Sequence, residues 1–125
     1  MNAIAYFEIQ SADVERSVLF YQKIFNWKFI REHTIPIEYY RIETPGIQGG
    51  LLKRPVPAPP AGTGTNAFTC SIEVENFDKT AKLIFDNGGI VAMAKFAIAG
   101  KCWQGYFQDT DTNVFGIFEV DEHAK

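Results

Sequence analysis

Glu8 follows Tyr6 by two residues in the N-terminal segment, and that spacing puts a carboxylate and a phenol on one face of a strand. A carboxylate among aromatic walls is a candidate general base or ligand anchor. Its competing reading is a polar residue at a rim. Gln10 and Glu73 occupy equivalent places further along the first strand of each half. Tyr6, Tyr40, Trp103 and Tyr106 fall on expected strands and offer flat rings with polar edges, a surface suited to an apolar or aromatic molecule. The core competes for the same rings, and Phe7, Phe68 and Phe115 are expected there. The alternation leaves open which face of the third strand in each half turns inward.

The other reactive side chains carry less. Cys70 and Cys102 stand 32 residues apart, neither at metal-finger spacing from another Cys or a His, and read as reduced thiols. Cys70 is expected to face a helix, and Cys102 to sit in an exposed loop. His33 and His123 read as solvated surface residues. Gly46, Gly49 and Gly50 lack the lysine and helix that a phosphate loop needs, and no serine-elbow motif occurs.

These side chains belong to a chain of 125 residues, 46% hydrophobic and 14% aromatic, which is enough for one domain or two small halves. The net charge of −3, with no Lys/Arg cluster, speaks against nucleic acid as a partner. The apolar runs are too short to span a membrane. The first residues show no secretion signal, so a cytoplasmic location is expected.

Alternation predicts a strand over residues 3–10. Asp13 can cap a helix carrying Val14, Val18, Tyr21, Ile24 and Phe25, which ends at Asn26. Strands follow over 27–31, 36–42 and 48–53, the last two joined by the turn Glu43-Thr44-Pro45-Gly46. Residues 55–66, rich in Pro and Gly, read as a linker rather than a lid. The order then repeats: a strand over 67–74, a helix opened by Asn76 or Asp78 and stopped by Asn87-Gly88-Gly89, and strands over 90–94, 103–108 and 113–119. Sliding the halves by 63 residues aligns Ile9 with Ile72 and Val14 with Phe77. The reading is therefore two modules, 1–54 and 67–120, with a polar, frayed tail over 121–125.

The segments Phe7-Glu8-Ile9, Asp13-Val14-Glu15-Arg16-Ser17-Val18-Leu19-Phe20-Tyr21 and Phe25-Asn26-Trp27 resemble the opening of the vicinal oxygen chelate superfamily. That group includes glyoxalase I, bleomycin-resistance proteins and extradiol dioxygenases. The closing turn Asp109-Thr110-Asp111-Thr112-Asn113-Val114-Phe115-Gly116 is similar to the family's Asp-Pro-Asp-Gly-Asn turn. The resemblance implies an α+β fold of two βαβββ modules forming an open cupped sheet with helices outside. It also implies, for metal-dependent members, four ligands on the cup floor, and a homodimer.

Carried onto this chain, the four ligand positions fall on Tyr6, Gly50, Thr69 and Gly116. Glycine donates nothing, and neutral hydroxyls hold divalent ions poorly. No metal and no cofactor are expected. The expected function is a glyoxalase/bleomycin-resistance-like protein that binds a small organic molecule in an aromatic-lined cup. Its ligand-binding residues would be Tyr6, Glu8, Tyr40, Gly50, Thr69, Trp103, Tyr106 and Gly116. The alternatives are a metal-dependent lyase, isomerase or dioxygenase, and an interaction module without catalysis.

Overall fold

The computed structural model describes residues 2–60, 62–63 and 67–125. Of the expected linker, residues 61 and 64–66 lie outside the described residues. The chain forms two compact units, Met1–Pro59 and Pro60–Lys125.

The first unit runs β1 (Tyr6–Ser11), α1 (Val14–Phe25), β2 (Lys28–Arg31), β3 (Tyr39–Glu43) and β4 (Gln48–Lys53). Its sheet has the order β1-β4-β3-β2, with β1 parallel to β4 and the other pairs antiparallel. The second unit runs β5 (Ser71–Glu73), α2 (Phe77–Asp86), β6 (Ile90–Ile98), β7 (Cys102–Gln108) and β8 (Val114–Val120). Its sheet repeats the same topology as β5-β8-β7-β6. Each unit is thus βαβββ, and the fold is α+β with two mixed four-stranded sheets.

Local chemistry fixes both helices. Asp13 accepts a hydrogen bond from the Arg16 amide (3.1 Å), Glu15 lies in the first turn of α1 and Lys23 in the last, matching the helix dipole. Asn26 takes the left-handed conformation (φ 57°) and its N–H returns to the Gln22 carbonyl, closing α1. On α2 the cap is Asn76, whose side chain accepts from the Lys79 amide (2.9 Å).

One face of each sheet packs on its helix. Val14, Val18 and Tyr21 of α1 are buried, as are Ile42 and Leu51 of the sheet. Trp27 stacks on Tyr21 (5.6 Å, 2° between planes) and tilts against Phe7 (5.8 Å). Between them, Ser11 and Ser17 satisfy each other at 2.6 Å in full burial. In the second unit Phe77, Ile84, Phe107, Phe115 and Ile117 form the corresponding layer.

Five expectations are corrected here. Phe68 is 94% exposed and not part of the core, because β5 pairs with β8 only from Ser71 onward. Cys70 is exposed although its carbonyl accepts from the Gly116 amide (2.8 Å), while Cys102 is half-buried at the start of β7. β6 extends to Ile98, past register shifts that let it keep pairing with β7. The tail is docked: Ala124 is buried, its carbonyl accepts from the Gly100 amide (2.8 Å), and the Asp121 amide donates to the Lys101 carbonyl.

Candidate functional site

The register of the first sheet assigns each strand residue to a face. The row Ile42–Gly49–Phe7 lies on the helix side, where Phe7 meets Trp27. The next row, Arg41–Gly50–Glu8, therefore lies on the opposite face, and so do Tyr39, Gln48 and Tyr6. On that face the hydroxyls of Tyr6 and Tyr39 lie 2.7 Å apart, and Tyr39 donates to Glu8 Oε2 at 2.9 Å. Tyr39 is buried, while Tyr6 and Glu8 are exposed.

The Tyr39 phenol lies directly over Gly50. A Cβ built on Gly50 would come within 2.9 Å of Tyr39 Cε1, and nearer still to its Cζ and hydroxyl oxygen. Glycine is what admits the ring. Burial, followed by the hydrogen bonds to Tyr6 and Glu8, pushes the Tyr39 phenol well above the ordinary tyrosine range. It stays neutral and acts as a hydrogen-bond donor.

Beside this cluster is a depression of about 470 Å³, lined by Tyr6, Arg41, Ile42, Glu43, Thr44, Gln48 and Gly49. Arg41 Nε lies 3.5 Å from the Glu32 carboxylate. Gln48 is occupied with its own turn: its side chain accepts from the Thr44 amide (2.9 Å) and donates to the Thr44 carbonyl (3.2 Å).

The second sheet repeats the arrangement with different atoms. Gly116 pairs with Ser71 across the parallel ladder, as Gly50 pairs with Glu8. A Cβ on Gly116 would meet Ser71 Oγ, Gln104 Nε2 (2.7 Å) and Tyr106 Cε1 (3.0 Å). Gln104 is buried and donates to Ser71 Oγ at 3.1 Å. Gln104 thus stands where Tyr39 stands, and Ser71 where Glu8 stands. Tyr106 shares this face and stacks on Phe96 (6.4 Å).

Of the sequence-derived candidates, the structure brings Tyr6, Glu8 and Gly50 together in the first unit, and Tyr106 and Gly116 in the second. Thr69 is exposed and precedes β5, so it does not join Gly116; Ser71 does. Two placements are corrected. Tyr40 pairs with Leu51 on the helix side, under the Arg31 guanidinium (5.7 Å). Trp103 shares its face with Gly105, which lies against Phe77 of α2; Lys95 sits over both rings, and the indole donates to Asp121 (3.0 Å). The residues missed were Tyr39 and Gln104, and Ser71 takes the place expected of Thr69. Counting back from the Thr44–Ile47 turn would have found Tyr39, because pairing Ile42 with Gly49 puts Tyr39 and Arg41 on the Gly50 face.

The turn before β8 is held by Asp109. Its Oδ1 accepts from the amides of Asp111 (2.8 Å) and Asn113 (2.9 Å), and its Oδ2 from the Asn113 side chain (3.0 Å). Thr112 takes the left-handed conformation that completes the turn. This turn delivers Gly116 to its place in β8.

A family model described as the Glyoxalase/Bleomycin resistance protein/Dioxygenase superfamily matches residues 3–117. The chain belongs to that superfamily. A search of curated proteins found no match. Among solved structures, a glyoxalase/bleomycin resistance protein/dioxygenase family enzyme from Burkholderia phytofirmans PsJN is similar at TM-score 0.74 and 20% identity, covering 94% of this chain and 98% of its own. The hypothetical protein SA1046 from S. aureus is similar at TM-score 0.74 and 19% identity, covering 96% and 99%. The genomically encoded fosfomycin resistance protein FosX from Listeria monocytogenes is similar at TM-score 0.76 and 14% identity, covering 97% and 93%. FosX has also been crystallised with Mn(II) and sulfate ion. At these identities the likenesses establish the fold alone.

A divalent ion does not fit the first-unit cluster of this superfamily member. Glu8 is the sole carboxylate in the hydrogen-bonded set, the other two members are phenols, and the space above Gly50 is filled by one of them. Among the described residues, no three His, Cys, Asp or Glu side chains cluster to hold a metal.

Proposed function

We propose that this glyoxalase-superfamily chain binds a small organic molecule without a metal, on the face of its first sheet that carries Tyr6, Glu8 and Tyr39. One observation carries the reading: the Tyr39 phenol fills the place that a side chain at position 50 would take, and is fixed there by Glu8 and Tyr6. Such a face offers oriented hydrogen-bonding atoms next to an aromatic wall. Elemental analysis of protein prepared with added zinc, nickel, manganese or iron tests the metal-free part, and only substoichiometric metal is expected. Stoichiometric uptake, lost in Glu8→Gln, would overturn it. A fragment screen followed by amide NMR shifts tests the binding part, with shifts expected at residues 6–8, 39–41 and 48–50.

The second reading is a metal-dependent lyase, isomerase or dioxygenase, favoured by the Mn(II) complex of the Listeria relative. The same elemental analysis separates the two. A third, an interaction module, draws on the exposed Ile90, Val91 and Met93 along β6. The proposal also takes the chain to be a homodimer in the cytoplasm. The free state of Cys70 and Cys102 agrees with that compartment, and light scattering decides the dimer.

A further inference from the structure

We infer that the ligand of this face is an organic cation, an amine bearing N–H donors, and that Glu8 is its anchor. The inference rests on the binding reading above. It follows from the direction of the hydrogen bonds. A phenol has one proton to give. Tyr39 gives its proton to Glu8 Oε2, so the 2.7 Å contact with Tyr6 must be donated by Tyr6. The chain of donors therefore runs from Tyr6 to Tyr39 to Glu8, and every hydroxyl proton in it is used.

What remains available to a newcomer is a set of acceptors. Glu8 Oε1 has no partner among the described residues, and the Tyr6 oxygen keeps its lone pairs. A ligand that can only accept finds no donor within the Tyr6–Tyr39–Glu8 set, the nearest donors on this face being those of Arg41 across Gly50, whereas one that donates finds a carboxylate oxygen and a phenol oxygen. The carboxylate adds charge selection, since a charged donor gains about twice what a neutral one does. The half-exposed Tyr6 ring supplies a face on which a cation is also favoured. The neighbouring cation, Arg41, lies across Gly50 from Glu8 with its Nε 3.5 Å from Glu32, and no ion pair joins it to Glu8 among the described residues.

Three matched probes test this on the intact chain: benzylamine, benzyl alcohol and benzoate, titrated separately while amide NMR shifts are followed. Benzylamine is expected to shift residues 6–8 and 39–41 at the lowest concentration, with benzoate the weakest. Glu8→Gln, which preserves shape and an acceptor, should weaken benzylamine about tenfold. Tyr6→Phe, which keeps the ring and loses the oxygen, should weaken it roughly threefold. Benzoate binding more tightly than benzylamine at these residues, or equal benzylamine affinity in wild type and Glu8→Gln, would overturn the cation inference and leave small-molecule binding standing. No shift on this face with any of the three probes would overturn both.

Discussion

Gly50→Ala tests most directly whether Tyr39 plugs the face of the first sheet. The added methyl would lie within 2.9 Å of Tyr39 Cε1 and closer to the phenol oxygen, so the ring must swing away. Swinging out breaks two hydrogen bonds, at 2.7 Å to Tyr6 and 2.9 Å to Glu8. A neutral bond contributes about 1 kcal/mol net and one to a charged group about 2 kcal/mol, so the expected loss is about 3 kcal/mol. For a chain of this length that lowers the melting temperature by roughly 10 °C. Chemical denaturation of wild type, Gly50→Ala, Tyr39→Ala and the double variant gives the coupling. Because Tyr39→Ala removes the group that the methyl strikes, Gly50→Ala should cost under about 1 kcal/mol in that background. Additive costs in the double variant, or a Gly50→Ala protein as stable as wild type, would show that the phenol is not held over the glycine.

Three further outcomes are expected. Tyr39 has a phenol pKa raised above its unfolded value, so its contribution to stability is complete below the ordinary tyrosine pKa and is lost as pH rises beyond it; Tyr39→Phe should flatten the alkaline decline seen by denaturant titration. Asp109→Ala removes the acceptor of three hydrogen bonds in the turn before β8 and should cost roughly 2–4 kcal/mol by denaturation, with Asp109→Asn recovering part of it. The Asp121 carboxyl is held below its ordinary value, chiefly by the His123 amide and then by the Trp103 indole. Its share of the tail's docking is therefore present above that ordinary value and fades as pH falls through the lowered one; Trp103 emission should step there, and Asp121→Asn should abolish the step.

Much of the fold was legible because its signals are local. Asp13, Asn26 and Asn76 act on backbone groups within four residues, so capping set the helix ends from sequence. The duplication was legible because both halves repeat the order of elements. Strand faces were not. Tyr39-Tyr40 presents an aromatic in either phase of the alternation, and only pairing with β4 selects Tyr39 for the Glu8 face. Trp103 was misplaced for the same reason, one residue out of phase with Gln104 and Tyr106. The docked tail was hidden because its polar composition looks solvated, while the bonds that hold it go to Gly100 and Lys101, in a turn some twenty residues earlier in the chain.

The two units fill the same place in the sheet with different chemistry. At Gly50 and Gly116 the missing Cβ creates room, and a side chain from the neighbouring third strand takes that room in both: a phenol in the first unit, a carboxamide in the second. Each is tied to the first strand of its own sheet, to Glu8 or to Ser71. A carboxylate placed at either glycine would strike the resident group before reaching a metal. On the metal-free reading proposed above, building a coordination site at these glycines would require two changes in each unit, one to supply the donor and one to remove the plug. The second set, a hydroxyl and an amide, is neutral, whereas the first ends on a carboxylate with an open oxygen, and on the inference above that difference is what would favour a donor-bearing, positively charged guest at the first sheet.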